Sequence, residues 1–282
     1  MRLVRSIKAV RKLIKEAKLK NKTVGFVPTM GYLHAGHASL LRTCKRENDI
    51  SVMSIFVNRK QFGPKEDFTK YPRDIKNDIF FAKKENVDII FYPSEKEIYP
   101  AGYLTFVNVN EITDCLCGKS RPGHFKGVTT VVAKLLNIVS ADTMYLGQKD
   151  AQQAIVLKKM VADLNIPVTV KVLPTVREKS GLAMSSRNSY LTQTERATAA
   201  TLYAALSQAK KIISKGERNA SKITNLIKSK INQAHAFKID YVECRDAQTL
   251  GAIKTLQGRV LIALAVWLKK TRLIDNVIVS VK

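Results

Sequence analysis

The sequence has 282 residues, of which 45% are hydrophobic, so the chain can bury a sizeable core in one large domain or two of ordinary size. Its net charge of +25, from 48 basic and 23 acidic side chains, would on its own favour a polyanionic partner. The lysines are spread along the whole chain with no basic stripe of interleaved aromatics, so we expect no nucleic-acid partner. The longest apolar run, Val260 to Leu268, has the length of a strand, and we expect no membrane partner.

The first residues and the cysteines bear on the cellular compartment. The N-terminal stretch carries charges where a signal peptide needs an apolar core, so we expect a cytoplasmic protein. Cys44, Cys115, Cys117 and Cys244 are scattered, and Cys115-Leu-Cys117 lacks the second pair that a structural zinc site needs. We therefore expect four reduced thiols.

The first strong pattern in chain order is a helix, a strand and a turn with two histidines. Helical spacing predicts an amphipathic helix over Met1 to Lys20, and a buried parallel strand follows at Thr23 to Val27. His34 and His37 then lie three residues apart around Gly36, so both point the same way if they belong to the first turn of the next helix. The unpaired amides of a helix start bind anions. The alternative is that the two histidines only cap the helix.

A second apolar strand, predicted near Ile50 to Val57, ends in a polar loop. Asn58 and Gln61 lie in this loop, at the carboxyl end of a strand, where open α/β sheets bind ligands. They are candidates for substrate contacts, with ordinary loop chemistry as an equal alternative. Tyr71-Pro-Arg73 then predicts a helix with proline at its first position, and a third strand is expected at Val87 to Tyr92.

The segment from Ser94 to Lys119 has no regular pattern apart from a possible strand at Leu104 to Val109. Gly118-Lys-Ser120 is similar to the tail of a phosphate-binding loop, but the glycine expected five positions earlier is missing, so we reject that interpretation. A helix is predicted to begin at Arg121-Pro-Gly-His124 and to continue through about Val139.

The fourth strand, Asp142 to Leu146, is followed at its carboxyl end by Gly147-Gln-Lys-Asp150, the same position that the histidines hold after the first strand. Lys149 can pair with a phosphate or a carboxylate as a point charge, although a lysine at such a turn is more often only solvated. Gln152 and Gln153 open the next helix as neutral hydrogen-bonding groups. A fifth strand at Val168 to Leu173 completes the alternation of strands and helices.

These elements predict an α/β protein with a Rossmann-like, doubly wound parallel sheet over residues 1–176. The segment Met184-Ser-Ser-Arg187 follows the sheet and combines two hydroxyls with a guanidinium, a set able to hold a polyphosphate. Beyond it the composition predicts a second, smaller α+β domain over residues 177–282. We expect its elements to be two long helices, about Glu195 to Lys215 and Ala220 to Ala234, and strands near Ile239 to Cys244, Val260 to Trp267 and Arg272 to Val281.

Two motifs far apart in the chain carry a resemblance. His34-x-Gly-His37 after the first strand and Met184-Ser-Ser-Arg187 after the last sheet strand resemble the H-I-G-H and K-M-S-K-S motifs of the nucleotidylyl transferase superfamily. Further segments narrow this to the pantothenate synthetase (pantoate–β-alanine ligase) family. They are Pro28-Thr-Met-Gly31, Asn58-x-x-Gln-Phe-Gly63, Tyr71-Pro-Arg73, Arg121-Pro-Gly-His-Phe125, Gly147-x-Lys-Asp150, Pro174-Thr-Val-Arg177 and Arg272-Leu-Ile-Asp-Asn276.

The resemblance implies ATP-dependent condensation of (R)-pantoate with β-alanine to give pantothenate, AMP and diphosphate through pantoyl adenylate. ATP is then a substrate, Mg2+ accompanies it, and the enzyme is a cytoplasmic homodimer. We also expect the smaller domain to act as a lid over the nucleotide, because Met184 to Arg187 lie at the junction of the two domains. The sequence does not identify the ligands of the metal.

The resemblance also implies roles for individual residues. His34, His37, Lys149 and Arg187 would be catalytic, since they offer the cationic and hydrogen-bonding groups that stabilise a transferring phosphoryl group. Gln61 and Gln153 would bind pantoate, and Gln61 would also meet β-alanine. The ATP site would comprise Met30, Gly31, Tyr32, Leu33, His34, Ala35, Gly36, His37, Gly147, Gln148, Lys149, Asp150, Val176, Met184, Ser185, Ser186 and Arg187.

The chain departs from the family pattern at Arg59, where proline is usual, at Gln148, where glutamate is usual, and at Ala151, where an aromatic is common. Gln148 removes a negative charge beside Lys149, and we expect Gln148→Glu to shift the KM for ATP slightly. Two rival functions remain at this point. Another H-x-G-H transferase would keep the adenylate in its product, and an RNA-binding protein would show steep salt dependence and would not depend on His37.

Overall fold

A parallel sheet of six strands forms the centre of the first part of the chain. The computed structural model describes residues 1–64 and 66–282. The strands are β1 (Arg2–Val4), β2 (Val24–Thr29), β3 (Ile50–Ile55), β4 (Ile89–Phe91), β5 (Thr143–Gly147) and β6 (Thr169–Leu173), in the spatial order β1-β4-β3-β2-β5-β6. All of their pairings are parallel. This confirms the predicted fold class and adds one strand to the five expected.

The added strand shortens the first predicted helix. Arg2 to Val4 pair with Ile89 to Phe91 of β4, and α1 (Ile7–Lys18) begins only after Ser6, whose hydroxyl accepts from the amide of Ala9. The prediction of one helix from Met1 to Lys20 was therefore wrong at its start. A strand of three residues is too short to show a period of two in the sequence.

Helices cover the sheet. In the first unit they are α1, α2 (Ala35–Glu47), α3 (Ile75–Lys84), α4 (Glu95–Ile98), α6 (His124–Val139) and most of α7 (Ala151–Asp163). The short helix α5 (Leu116–Ser120) and the first turn of α7 belong to the second unit described below. One apolar cluster joins Leu40 and Leu41 of α2 and Ala82 of α3 to Val27 and Met53 of the sheet. Strand β2 is covered on both of its faces, since five of its six consecutive residues are buried.

Two predicted boundaries in this region differ from the structure. Helix α3 begins at Ile75 and not at Pro72, because the carboxylate of Asp74 caps it by accepting from the amide of Asn77 at 3.0 Å. The segment 104–109 forms no strand. Its backbone is held by α6, since the carbonyl of Val107 accepts from the hydroxyl of Thr129 at 2.7 Å, and its amide donates to the hydroxyl of Thr130 at 3.0 Å.

An antiparallel sheet of three strands forms the centre of the last third of the chain. Its strands are β7 (Phe237–Asp246), β8 (Gly258–Leu268) and β9 (Thr271–Val281), in that order. The helices are α8 (Gln193–Ala199), α9 (Thr201–Ser214) and α10 (Ala220–Asn232). The long helix predicted from Glu195 to Lys215 is thus two helices. They are separated at Ala200, whose amide donates to the carbonyl three residues earlier, at Ala197, as in a 3₁₀ turn.

Contacts between residues divide the chain into two units. The first comprises residues 1–109, 121–147 and 156–173, and the second comprises residues 110–120, 148–155 and 174–282. The second unit thus gains two short pieces from the middle of the sequence, and one of them contains Lys149. The predicted domain boundary after residue 176, and the lid role of the smaller domain, stay predictions.

Candidate active site

The segment from Met30 to His37, here called the histidine turn, follows β2 at the point where the order of strands in the sheet reverses. From β2 the chain moves to β3 and β4 on one side, and it then returns to place β5 on the other side of β2. In open α/β sheets, ligands bind outside the carboxyl ends of the two strands that flank such a switch point. Here these ends are Thr29, which leads into the histidine turn, and Gly147, where an added Cβ would meet no atom within 4 Å. A side chain at position 147 would therefore enter open space beside the switch point.

His34 and His37 both cap α2 and face each other. The Nδ1 atom of His34 accepts from the amide of Gly36 at 3.1 Å, and Nδ1 of His37 accepts from the amide of His34 at 3.2 Å. Their ring centroids are 4.1 Å apart. Because Nδ1 accepts a hydrogen bond in both rings, the neutral imidazoles carry their proton on Nε2. The alternative that the histidines only cap the helix thus accounts for Nδ1 of each ring. The second nitrogen of each ring, Nε2, is an N–H donor at the start of the helix.

Asp78 holds the turn that precedes these histidines, and sequence reasoning missed it. This side chain of α3 is 1% exposed, and its two oxygens accept from the consecutive amides of Tyr32 and Leu33 at 2.9 and 2.8 Å. Gly31 has φ +80°, and a Cβ there would lie 2.7 Å from Oδ2 of Asp78, so the turn needs glycine.

The same carboxyl group titrates abnormally. Burial raises the pKa of Asp78, the neighbouring Asp74 carboxylate adds to the rise, and the two amide hydrogen bonds oppose it. Asp78 therefore ionises at a higher pH than an exposed aspartate. A buried acid of α3 that determines the shape of the histidine turn has no signal in the sequence apart from its place in the first turn of a helix.

Gln61 is positioned by Asn58, the other candidate in its loop. Asn58 is 1% exposed, and its Nδ2 donates to Oε1 of Gln61 at 3.1 Å and to the carbonyl of Gly127 at 3.0 Å. Its Oδ1 accepts from the hydroxyl of Tyr99 at 3.0 Å. The Nε2 group of Gln61 lies 3.1 Å from Sδ of Met30, which is a weak acceptor. Asn58 thus has a structural role, and Gln61 presents an amide donor that a carboxylate or hydroxyl oxygen would satisfy better.

Helix α6 closes on this loop at a glycine. A Cβ on Gly127 would lie 2.3 Å from the carbonyl oxygen of Lys60 and 2.6 Å from the amide nitrogen of Gln61, both backbone atoms. At the start of the same helix, Nδ1 of His124 lies 2.8 Å from the carbonyl of Gln61, and Nε2 lies 3.0 Å from a guanidinium nitrogen of Arg121. The Arg121 to His124 segment therefore supports the Gln61 loop.

Arg121 is also half of a largely shielded ion pair. Its Nε and Nη2 donate to the two carboxylate oxygens of Glu66 at 2.7 and 2.6 Å, and the two side chains are 14% and 23% exposed. Burial opposes ionisation of Glu66, but the hydrogen bonds and charge of Arg121 outweigh it and hold the pKa of Glu66 below its usual range. A depressed pKa in an acid stabilises the fold above the pKa of the unfolded chain, and this contribution is lost as the pH falls through the folded value.

We expect Glu66→Gln to lower the free energy of unfolding by about 1 to 3 kcal/mol at pH 7, because it removes a charge-assisted hydrogen-bonded pair. The difference from the unsubstituted protein should shrink as the pH falls below about 4.3, where the unfolded glutamate is protonated. Urea unfolding between pH 3 and 7 measures this. Glu16→Gln, at an exposed position of α1, is the matched control and should change little at any pH. A difference for Glu66→Gln that is the same at pH 3 and 7 would contradict the assignment.

Lys149 lies in a short turn of the second unit, directly before α7. Its ammonium is 3.4 Å from the carboxylate of Asp150, and its side chain is 20% exposed. The two glutamines that follow differ. Gln152 is 6% exposed and bonds the segment 112–117 through both amide atoms, at 2.8 Å to the carbonyl of Cys115 and 2.9 Å from the amide of Cys117. Gln152 is thus structural, whereas Gln153 is only partly buried in the same helix.

The remaining predicted residues form a loop closed by backbone hydrogen bonds in the second unit. The amide of Met184 donates to the carbonyl of Val176 at 3.0 Å. Ser185 caps the turn from Ser186 to Tyr190, since its hydroxyl accepts from the amide of Arg187 at 3.3 Å. The loop is therefore ordered by its own backbone, and the Arg187 side chain is partly exposed at its end.

The structure places the predicted site residues in two sets. The first unit holds Met30 to His37, Gln61 and Gly147, and the second holds Gln148 to Asp150, Gln153, Val176 and Met184 to Arg187. Within the described residues, no three or more histidine, cysteine, aspartate or glutamate side chains form a group that could hold a metal ion. None of the helices in residues 1–64 and 66–282 has both the length and the apolar composition needed to span a membrane.

Known proteins are similar to this chain over its whole length. The family model of pantoate-beta-alanine ligase matches residues 2–278. The pantothenate synthetase of Caldicellulosiruptor saccharolyticus is 54% identical over 281 residues, which is 100% of both chains.

Two solved structures are also similar over nearly the whole chain. The crystal structure of pantothenate synthetase from Thermus thermophilus has a TM-score of 0.93 and 40% identity, covering 98% of this chain and 99% of that one. The pantoate-beta-alanine ligase of Francisella tularensis, complexed with "Beta-gamma ATP and Beta-alanine", has a TM-score of 0.80 and 38% identity, covering 98% and 97%. The chain therefore belongs to the pantoate–β-alanine ligase family, whose members are carbon–nitrogen ligases.

Proposed function

We propose that this ligase joins pantoate to β-alanine in two steps, with MgATP as its nucleotide substrate. In the first step a carboxylate oxygen of pantoate attacks the α-phosphorus of ATP, and diphosphate leaves. In the second step the amine of β-alanine attacks the carbonyl carbon of pantoyl adenylate, an amide forms, and AMP leaves with the oxygen that pantoate supplied. Neither step needs a covalent bond to the protein.

The geometry of the histidine turn carries this proposal. The turn follows β2 at the switch point of the sheet, and both imidazoles use Nδ1 for capping, so each has its donor at Nε2. Two N–H donors beside the amides of a helix start suit the oxygens of a triphosphate. We assign His34 and His37 to these oxygens, and the backbone from Met30 to Gly36 to the rest of the nucleotide.

The second unit supplies the cations in this proposal. Lys149 would neutralise charge on the phosphates, and Arg187 would pair with the leaving diphosphate. Ser185, Ser186 and the backbone of Gln148, Asp150, Val176 and Met184 would complete the nucleotide contacts. Gln61 and Gln153 would hold pantoate, with the amide donor of Gln61 moving from the sulfur of Met30 to an oxygen of the substrate.

Mg2+ belongs to the substrate in this proposal, as the complex MgATP. Mg2+ is commonly held by substrate phosphates, waters and one or two carboxylates, so a cluster of three protein ligands is not needed. The metal would neutralise phosphate charge and favour release of diphosphate.

We also propose that the protein is a homodimer in the cytoplasm. Light scattering of the purified protein should then give a particle of twice the monomer mass.

The test is to supply ATP, Mg2+ and pantoate with and without β-alanine. We expect diphosphate equal to about one turnover without β-alanine, and continuous AMP and pantothenate with it. Removing Mg2+ with a chelator should stop both. Pantoate labelled with 18O in its carboxylate should transfer one labelled oxygen to AMP. An adenylated product that accumulates without AMP would indicate another H-x-G-H transferase, and absence of pantothenate from folded protein would refute the proposal.

A further inference from the structure

The turn that carries Lys149 is held by a residue more than a hundred positions later in the chain. Asn276 of β9 is 3% exposed, and its Nδ2 donates to the carbonyls of Gln148 and Lys149, both at 2.9 Å. Its Oδ1 lies 3.4 Å from Nε2 of Gln148. The carbonyls of two consecutive residues are thus bound by one side chain, which fixes the peptide planes on both sides of Lys149.

The chemistry of an asparagine side chain suits this contact. The amide offers two N–H donors on one nitrogen, whereas aspartate offers none and alanine has no polar group. The residue opposite Asn276 on β8 is Ala263, and cross-strand neighbours share a face of the sheet. Its methyl group leaves room for the amide beside it. Position 276 therefore combines a side-chain NH2 group with two N–H donors and a small cross-strand neighbour, Ala263.

Asn276 is in turn fixed by an ion pair between Arg177 and the buried Asp275. The backbone amide of Asn276 donates to Oδ1 of Asp275 at 2.7 Å, and its backbone carbonyl accepts from Nη2 of Arg177 at 3.3 Å. Arg177 binds the two carboxylate oxygens of Asp275 at 2.6 and 2.9 Å and stacks on the ring of Tyr203 at 3.7 Å. Asp275 is 3% exposed. The donor of Asn276 is therefore preorganised by contacts on the other side of the strand.

We infer that Asn276 is a positioning residue of the ligase, acting through Lys149. A lysine side chain is a flexible four-carbon stem, and the direction in which it leaves the backbone limits the space that its ammonium can reach. By fixing the peptides of the Gln148 to Asp150 turn, Asn276 sets that direction. The inference rests on the proposed role of Lys149 in the ATP step.

A double-mutant cycle tests the inference. The rate measured is diphosphate release in the adenylation step, for the unsubstituted protein, Asn276→Ala, Lys149→Ala and the double variant. Misplacing a catalytic group by about 1 Å costs on the order of 100-fold, and we expect a loss of that order for Asn276→Ala in kcat more than in the KM for pantoate. In the Lys149→Ala background the same substitution should cost no more than about twofold, the scatter of additivity.

Controls separate positioning from stability. Asn232→Ala, at the exposed end of α10, should keep full activity. Asn276→Asp keeps the size of the side chain but removes both donors, so it should lose as much rate as Asn276→Ala, and it replaces that variant in the cycle if alanine does not fold. A loss that is equally large with and without Lys149 would overturn the inference in an active enzyme. An inactive unsubstituted protein would instead refute the proposed function.

Discussion

Replacing His37 with alanine is expected to lower the rate of pantoate-dependent diphosphate release by about 100-fold or more, the usual cost of losing one preorganised donor to a developing charge. The expectation follows from the tautomer. Nδ1 of His37 accepts from the amide of His34, so the ring carries its proton on Nε2, the atom that we assign to a phosphate oxygen. The measurement is single-turnover formation of diphosphate at saturating ATP and pantoate.

His37→Asn separates capping from phosphate binding. Its amide oxygen can accept from the amide of His34, but the side chain ends before the position of Nε2. We expect it to melt like the unsubstituted protein and to be nearly as slow as His37→Ala. His235→Asn, at an exposed position of the second unit, is the control for changing a histidine elsewhere and should keep full rate. Full recovery of rate in His37→Asn would show that His37 only caps α2.

Asp78→Asn is expected to impair both stability and ATP use. The substitution replaces one of the two accepting oxygens by an NH2 group, which then faces the amide of Tyr32 or Leu33. Loss of an acceptor at a buried donor costs about 1 to 3 kcal/mol, equivalent to a fall in melting temperature of roughly 2 to 5 °C for a chain of this size. We also expect the KM for ATP to rise, because the turn before His34 loses its support.

Asp74→Asn provides a matched control for this prediction, since it makes the same chemical change four residues earlier. Asp74 caps α3 at an exposed position, and asparagine caps helices about as well as aspartate. Thermal melting and steady-state kinetics of the two variants should therefore diverge clearly. Equal effects at positions 74 and 78 would mean that the loss comes from helix α3 and not from the turn.

Patterns within short stretches of sequence predicted most of the fold. Buried β-branched runs and helical spacing located five of the six parallel strands, and β1 escaped because three residues are too few for a pattern. The segment 104–109 shows the opposite error. Its apolar residues suggested a strand, but Leu104 is 86% exposed and the backbone bonds the hydroxyls of α6. Local composition cannot reveal which partner a backbone will find.

The candidate site could be predicted only where its functional residues are consecutive, or nearly so, in the sequence. His34 to His37 and Met184 to Arg187 carry recognisable motifs, and so their residues could be named from the sequence. Asp78 could not, because it acts on backbone groups of a distant segment and has no motif of its own. Asn276 ends the family segment Arg272-Leu-Ile-Asp-Asn276, but that segment does not reveal that its side chain bonds the Lys149 turn. Such supporting contacts are decided by tertiary packing, which a single sequence does not display.

The contact between Asn276 and the Lys149 turn has a consequence for protein synthesis. The two residues are 127 positions apart, so at about 5 to 20 residues per second the ribosome needs roughly 6 to 25 s to supply the asparagine after the lysine. During that interval the nascent turn lacks the donor that fixes its carbonyls. Messages that end before the codon of Asn276 would therefore yield chains in which the Lys149 turn never acquires this donor.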